Sequence, residues 1–399
     1  MVRIPRAVII FALSKIPLRH CLITSRIPTV LAASRPLRGR QSTNRFSTTI
    51  DATTMSTSTA GSSYFHPKLR GVFVGSGSEG MADPRVADAI LDLWKQDHKE
   101  TSTSPTVLYL GTATYDLSLF RTKQTKCLED LGCAVTSLNV AFENDTIDLA
   151  KEAAEKLEQA DIIVVGGGNT LYAMDRWTKL GLIPMMRQAM ERGAILCGGS
   201  AGAIVWFDGG HSDSMDPDTY ANPMLEKFGG TGDQAKNVAD ESSALGETIK
   251  DWKYIRVNGL GFLPGLLCPH HDRVQSNGIL RANDFDEMLL RHSRETGIGI
   301  DHWAALIVSG DNYRILSLEG KPGSVVYKGG DNQEAMFGVE NDGTATGAPG
   351  VWIKRVDETS RSVVAQVCPA QGNIHDLRPP SEIVEDSEAI NQCRAGNPS

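Results

Sequence analysis

The segment Gly198-Gly199-Ser200-Ala201-Gly202 follows one apolar run, Ala194 to Cys197, and precedes another, Ala203 to Phe207. Glycines at both ends permit the sharp, strained strand-to-helix turn that lifts a serine hydroxyl above a sheet edge. Ser200 then sits at a helix N-terminus, where the Ala201 N–H can receive a developing oxyanion. The bland reading, a small-residue turn packed on a neighbouring helix, loses ground because of two further motifs. Gly166-Gly167-Gly168-Asn169-Thr170 closes the run Ile162 to Val165, and a parallel sheet would set this turn beside Ser200, its bare N–H groups completing an oxyanion hole. Pro269-His270-His271-Asp272 closes another apolar run at the same expected carboxyl edge, which makes His270 the candidate general base. Neighbouring residues of an extended segment point to opposite sides, and no HxH or HExxH spacing occurs. A metal site at His270, His271 and Asp272 is therefore ranked below catalysis, and neither metal nor cofactor is expected.

Two acids compete to orient His270. Asp301 directly precedes the apolar run Ala304 to Val308 and would be held by packing, whereas Asp213 follows Gly209-Gly210 in a polar loop. A triad acid fixes the imidazole tautomer and stabilises the imidazolium, tasks that favour a rigid, partly buried carboxylate. Asp301 is favoured on that ground, with Asp213 lining or closing the pocket. One more motif, Gly75, Gly77 and Gly80, satisfies GxGxxG after a strand. The second strand, however, ends in Gly111-Thr112-Ala113-Thr114 rather than in an acid that could hold a ribose, so a tight turn without a nucleotide is the expectation.

The elements that must position these residues alternate. Strand-like runs at Gly71 to Val74, Thr106 to Leu110, Ala134 to Val140, Ile162 to Val165 and Ala194 to Cys197 are separated by helical patterns, among them Leu119 to Leu131, Leu171 to Leu180 and Pro184 to Arg192. Continuous apolar strands between helices predict an α/β fold with a mostly parallel, doubly wound sheet covered on both faces. Asp208 to Lys253 reads as a polar excursion, 216–253 being its inserted part. Beyond it come a strand at Leu260 to Cys268, a helix at Phe285 to His292, and late strands at Ala304 to Val308, Tyr313 to Ser317 and Ser324 to Tyr327, expected as antiparallel hairpins.

Of 399 residues, 41% are hydrophobic and 22% charged, which excludes disorder as the main state. Residues 1 to 50 hold eight Arg and one Lys with no acid, so the net charge of -8 leaves -17 on the remainder. So acidic a body repels phosphate backbones; the expected partner is a small molecule or peptide, with no nucleic acid and no membrane, and a homodimer as the oligomer considered. Seven scattered Cys without a CxxC pair point to reduced thiols. The Arg- and Ser-rich, acid-poor segment 1–60 resembles a transit peptide in composition, so a mitochondrial matrix location is expected, with a shorter cytoplasmic form starting at Met55 as the alternative. The expected division is a main folded domain at 62–330, further strands at 331–367 and a mobile tail at 368–399.

In order and spacing, GGGNT, GGSAGA, SDSM and CPHHD between Val72 and Val308 resemble the serine peptidase family of the aspartyl dipeptidases (peptidase E) and cyanophycinases. The resemblance implies a class I glutamine-amidotransferase-like fold, a Ser200–His270 pair, an oxyanion hole from Gly168 and Ala201, and removal of N-terminal aspartate from short peptides. Gly278-Ile279-Leu280-Arg281 matches the family's substrate-binding arginine, with Asn169 as the second substrate-binding candidate. Asp301 stands at the position that looks like the family's late acid. The expected function is thus a serine exopeptidase for Asp-Xaa or isoaspartyl peptides. An α/β-hydrolase esterase would place its histidine near the domain end, whereas His270 follows Ser200 by only 70 residues. A non-catalytic binding protein would have no use for the whole set.

Overall fold

The computed structural model describes residues 66–99, 103–143, 148–221, 223, 250–328, 334–340 and 342–377. The expected transit segment, most of the 216–253 excursion and the last residues of the expected tail lie outside them. The chain runs β1 (Arg70–Val74), α1 (Ser78–Met81), α2 (Pro84–Lys95), β2 (Thr106–Leu110), α3 (Ser118–Asp130), β3 (Ala134–Ser137), α4 (Leu149–Gln159), β4 (Ile162–Val165), α5 (Thr170–Leu180), α6 (Leu182–Arg192), β5 (Ile195–Gly199) and α7 (Ala201–Ile204). It continues as β6 (Phe207–Ser212), β7 (Ile255–Asn258), β8 (Leu263–Cys268), α8 (Arg281–Arg291), β9 (Gly297–Ile300), β10 (Ala304–Ser309), β11 (Asn312–Ser317), β12 (Val325–Lys328), β13 (Glu334–Phe337), β14 (Val351–Asp357), β15 (Ser362–Val367) and β16 (Gln371–Asn373). No described helix is long and apolar enough to cross a membrane.

This is an α/β fold with mixed sheets. In the larger, of order β16-β11-β10-β1-β5-β4-β2-β3, the five strands from β1 to β3 are parallel and the other three run antiparallel beyond β1. Alternate side chains of the parallel strands enter separate cores, because successive residues of a strand point to opposite faces. Val72 and Val74 pack with Ile90 and Trp94 of α2, whereas Phe73 joins the core that holds Trp177 of α5 and Met186 of α6. Helix starts are specified locally: Asp83 accepts from Arg85 N at 3.0 Å with Pro84 in the first helical position, and Asp148 accepts from Lys151 N at 3.1 Å.

The expectation of one mostly parallel sheet needs correction, since β8 does not join it. After the single turn of α7 the chain builds a second sheet of order β15-β14-β9-β8-β6-β7, parallel only across β6, β8 and β9. Its strand β6, Phe207-Asp208-Gly209-Gly210-His211-Ser212, lies in the stretch that reads as polar loop. A Cβ on Gly210 would fall 2.4 Å from Leu267 O, so glycine here serves close strand packing rather than a loop. The tail boundary also moves: β16 pairs with β11, and Ile374 and Leu377 behind it are buried, so residues 371–377 belong to the folded body.

Candidate active site

Three glycine turns converge at Ser200. The residue has φ 55° and ψ -122°, a region that L-residues occupy only under constraint, and its N–H donates to Val74 O at 3.1 Å. The turn after β1 lies against it so closely that a Cβ on Gly199 would sit 2.1 Å from Ser76 O. A Cβ on Gly167, in the turn after β4, would be 3.5 Å from Ser200 Cβ. The parallel register of β1, β5 and β4 therefore sets the GxGxxG and GGGNT turns on either side of the serine. Gly168 has φ 124°, and among the described residues neither its N–H nor that of Ala201 donates to a backbone carbonyl outside the regular elements. Both belong to turns that flank the Ser200 elbow.

His270 arrives from the other sheet, at the end of β8. Its N–H donates to Gly75 O at 3.0 Å, which ties it to the same β1 edge that holds Ser200, and its φ of 48° is a second strained value for a non-glycine residue. Among the described residues no hydrogen bond joins Ser200 Oγ to His270; such bonds are commonly loose before substrate binds. What His270 does contact is His302, with the two Nδ1 atoms 2.8 Å apart. His302 in turn has Nε2 at 2.6 Å from Glu79 Oε2, an ion-pair distance with the carboxylate off the direction of a good hydrogen bond. Burial first, then repulsion from a His302 that would share its charge and from Arg281 and Arg273, holds the His270 pKa well below the usual histidine range. His302 is pushed down to about 4, by burial first and Arg273 second, against the opposing pull of Glu79. Both rings are thus neutral near pH 7, the state a general base needs.

Asp301, favoured from sequence as the acid behind His270, faces elsewhere. Its carboxylate accepts from Ser324 N (2.9 Å), Ser324 Oγ (2.7 Å) and Gly350 N (3.0 Å), and its imidazole neighbour is His271 Nδ1 at 3.4 Å. His271 is wholly buried, with its ring against Phe337 and Trp352. The chain turns at His270 rather than staying extended: that ring meets His302, whereas His271 enters the interior with Asp301 beside it.

Asp213 and Arg281 also differ from expectation. Arg281 is 0% exposed; its guanidinium donates to Asp213 Oδ2 and Gln275 Oε1, both at 3.1 Å, and to His211 O at 2.6 Å, beneath the ring of Tyr254. It is an interior ion pair rather than a free hook for a substrate carboxylate, and Asp213 is its counter-ion rather than a partner of His270. Asn169 is consumed as well, capping α5 through Tyr172 N at 2.9 Å and donating to Ser214 O at 3.0 Å. Arg273 is the basic residue left near the edge, its side chain one-third exposed and its Nε 4.0 Å from the buried Asp272. Sequence reasoning passed over His302 and Glu79. The signal available was their placement: Glu79 in the glycine turn beside Ser200, and His302 at the head of β10.

The model of peptidase family S51 matches residues 72–316. Among similar proteins, a Trypanosoma brucei brucei protein named G2/mitotic-specific cyclin-1 is 30% identical over 267 residues, covering 64% of this chain and 77% of its own. The uncharacterized peptidase YgaJ of Bacillus subtilis is 25% identical over 56% of this chain and 77% of its own, and peptidase E of Pasteurella multocida is 31% identical over 28% and 45%. A match that spans the glycine turns, the Ser200 elbow and His270 places the chain in peptidase family S51, the family of peptidase E.

Proposed function

We propose that the protein is a serine-type exopeptidase that hydrolyses short acidic peptides of the Asp-Xaa or isoaspartyl kind. The observation that carries this reading is the strained Ser200 elbow between two glycine turns, with His270 tied to the same β1 edge. Ser200 Oγ attacks the scissile carbonyl as its proton passes to His270 Nε2, and the oxyanion forms against the N–H groups of Gly168 and Ala201. The C–N bond then breaks, with the proton delivered from His270 to the leaving amine. Water, deprotonated by the same ring, releases the acyl group and restores Ser200. With Arg281 committed to Asp213, Arg273 is the residue assigned to the substrate's aspartyl carboxylate. The parallel strands β3-β2-β4-β5-β1, with helices packed into cores on either face, support extending the reading to a doubly wound, class I glutamine-amidotransferase-like domain.

A panel of aspartyl and isoaspartyl dipeptides, alanyl dipeptides and p-nitrophenyl esters tests the proposal. Turnover confined to acidic peptides and lost in Ser200→Ala is expected. Ester turnover without peptide turnover would favour an esterase.

A further inference from the structure

We propose that His302, steadied by Glu79, takes the place of the triad carboxylate, so that the site is a Ser200–His270–His302–Glu79 chain. This rests on the serine-hydrolase reading and names the group that orients its base. The contact between the two Nδ1 atoms, 2.8 Å apart, requires one ring to donate and the other to accept. For His270 Nε2 to be free as a base, His270 must carry its proton on Nδ1 and donate it, so His302 accepts at Nδ1 and carries its own proton on Nε2. That nitrogen lies 2.6 Å from Glu79 Oε2, close enough for the carboxylate charge to act on the ring although the two are not aligned for a good hydrogen bond. One tautomer assignment fits the contact between the two rings, and it is the one catalysis needs.

His302 is also immobilised as a positioning residue should be. Its N–H donates to the buried Asp272 Oδ1 at 2.7 Å and its carbonyl accepts from Ser76 Oγ at 2.7 Å. Ser76 and Glu79 belong to the glycine turn after β1, and that turn reaches His302 because Gly75 lacks a side chain: a Cβ there would lie 1.9 Å from Asp301 O. The GxGxxG motif therefore has a job that involves no nucleotide. When His270 takes the Ser200 proton, its positive charge is stabilised through the His302 lone pair and by the Glu79 charge beyond it. No net proton transfer along the chain is required. The charged and titratable groups around His302 are Glu79 on α1, His270, Asp272 and Arg273 after β8, and Lys321 after β11, whose ammonium lies over Trp303.

The test combines steady-state kinetics on an acidic dipeptide, a pH profile, and the rate at which a fluorophosphonate probe labels Ser200. His302→Ala should lower kcat and the labelling rate by about 10²- to 10⁴-fold with little change in KM. His302→Asp, which sets a carboxylate oxygen where Nδ1 stood, should recover activity to within about tenfold of wild type and move the acidic limb to higher pH, since a nearby negative charge favours the imidazolium. Glu79 is 63% exposed on its side chain, so Glu79→Gln should fold normally, lower kcat about two- to fivefold, and move the acidic limb to lower pH. In the His302→Ala background Glu79→Gln should have no further effect. The proposal is overturned if His302→Ala stays within threefold of wild type, if it acts on KM alone, or if Glu79→Gln has the same effect with and without His302. Should His302→Ala fail to fold, an unchanged kcat and acidic limb in Glu79→Gln overturns it. A wild-type enzyme that labels normally while His302→Ala labels equally fast defeats the chain alone; a wild type that neither labels nor turns over any panel substrate defeats the hydrolase reading and the chain with it.

Discussion

Behind the edge where Ser200, His270, His302, Glu79 and Arg273 meet lies a second polar layer, made of His271, Asp272, Asp301, Asp213 and Arg281. The two are built from the same residue types, in places from adjacent residues, yet their environments differ. At the edge, backbones are strained at Ser200 and His270, Glu79 is largely exposed, and the serine is without a bond to its base. In the interior layer Arg281, His271, Asp272 and Asp301 are all 0% exposed, and most of their polar atoms are committed to protein partners. A histidine beside an aspartate is therefore no sign of catalysis in itself. The pair with the more triad-like composition, His271 and Asp301, braces β12 and β14, and His270 has another histidine for a partner.

The sharpest way to break this division is to compare three alanine variants. Ser200→Ala and His270→Ala should each lower kcat by about 10⁴- to 10⁶-fold with the fold retained. His271→Ala, one residue along, should keep kcat within about tenfold and instead lower the unfolding free energy by about 2–5 kcal/mol, the result of opening a ring-sized cavity. Urea titrations beside steady-state kinetics separate the two. A kcat loss in His271→Ala to match His270→Ala would mean the layers are assigned the wrong way round.

Arginines draw the same line. Arg281→Ala strands Asp213 without its counter-ion and should cost about 3–5 kcal/mol of stability. Arg273→Ala should leave the melting temperature nearly unchanged and raise KM for Asp-Xaa substrates roughly ten- to a hundredfold, the range for losing a charged hydrogen bond. Thermal melts with KM measurements decide, and a stable Arg281→Ala with altered specificity would return that residue to the substrate.

Asp301→Ala leaves Ser324 N and Gly350 N unpaired in the interior, at about 1–3 kcal/mol each. Its folded fraction should turn over nearly as fast as wild type, in contrast to the steep kcat loss that a triad acid would show.

A further expected effect is one of pH. Burial, and then the charge of Asp301, push the Asp272 carboxyl up to about 7 from 3.8. An acid whose pKa rises on folding contributes stability that is whole below its unfolded value and is lost as pH climbs through the folded one. The stability of wild type relative to Asp272→Asn should accordingly fall between about pH 4 and 7 and level off above, as read by urea unfolding across that range. A difference that grew with pH would make Asp272 an ionised, paired residue.

Much of this was legible in advance. The parallel strands β1, β2, β4 and β5, their helices and the Ser200 elbow are short-range features, written in continuous apolar runs, capping aspartates and glycines at strand ends. The second sheet was hidden because β6 carries Asp208, Gly209 and Gly210, which read as loop until β7 and β8 supply their backbone partners. Arg281 looked available because its local sequence is a polar helix start; what buries it is Asp213, which lies 68 residues away in the chain. His302 offered no motif of its own.

Composition and spacing alone determined that this chain makes an α/β fold with a serine raised at the end of its fifth strand, since strand, turn and helix-start preferences act over a few residues and survive without context. Only the tertiary structure decided which histidine is tied to the β1 edge beside that serine and which partner meets that histidine. The backbone turns at His270 with φ 48°, and the choice between His302 and Asp301 as neighbour depends on how two sheets close on the β1 turn, a long-range packing outcome that no local spacing encodes.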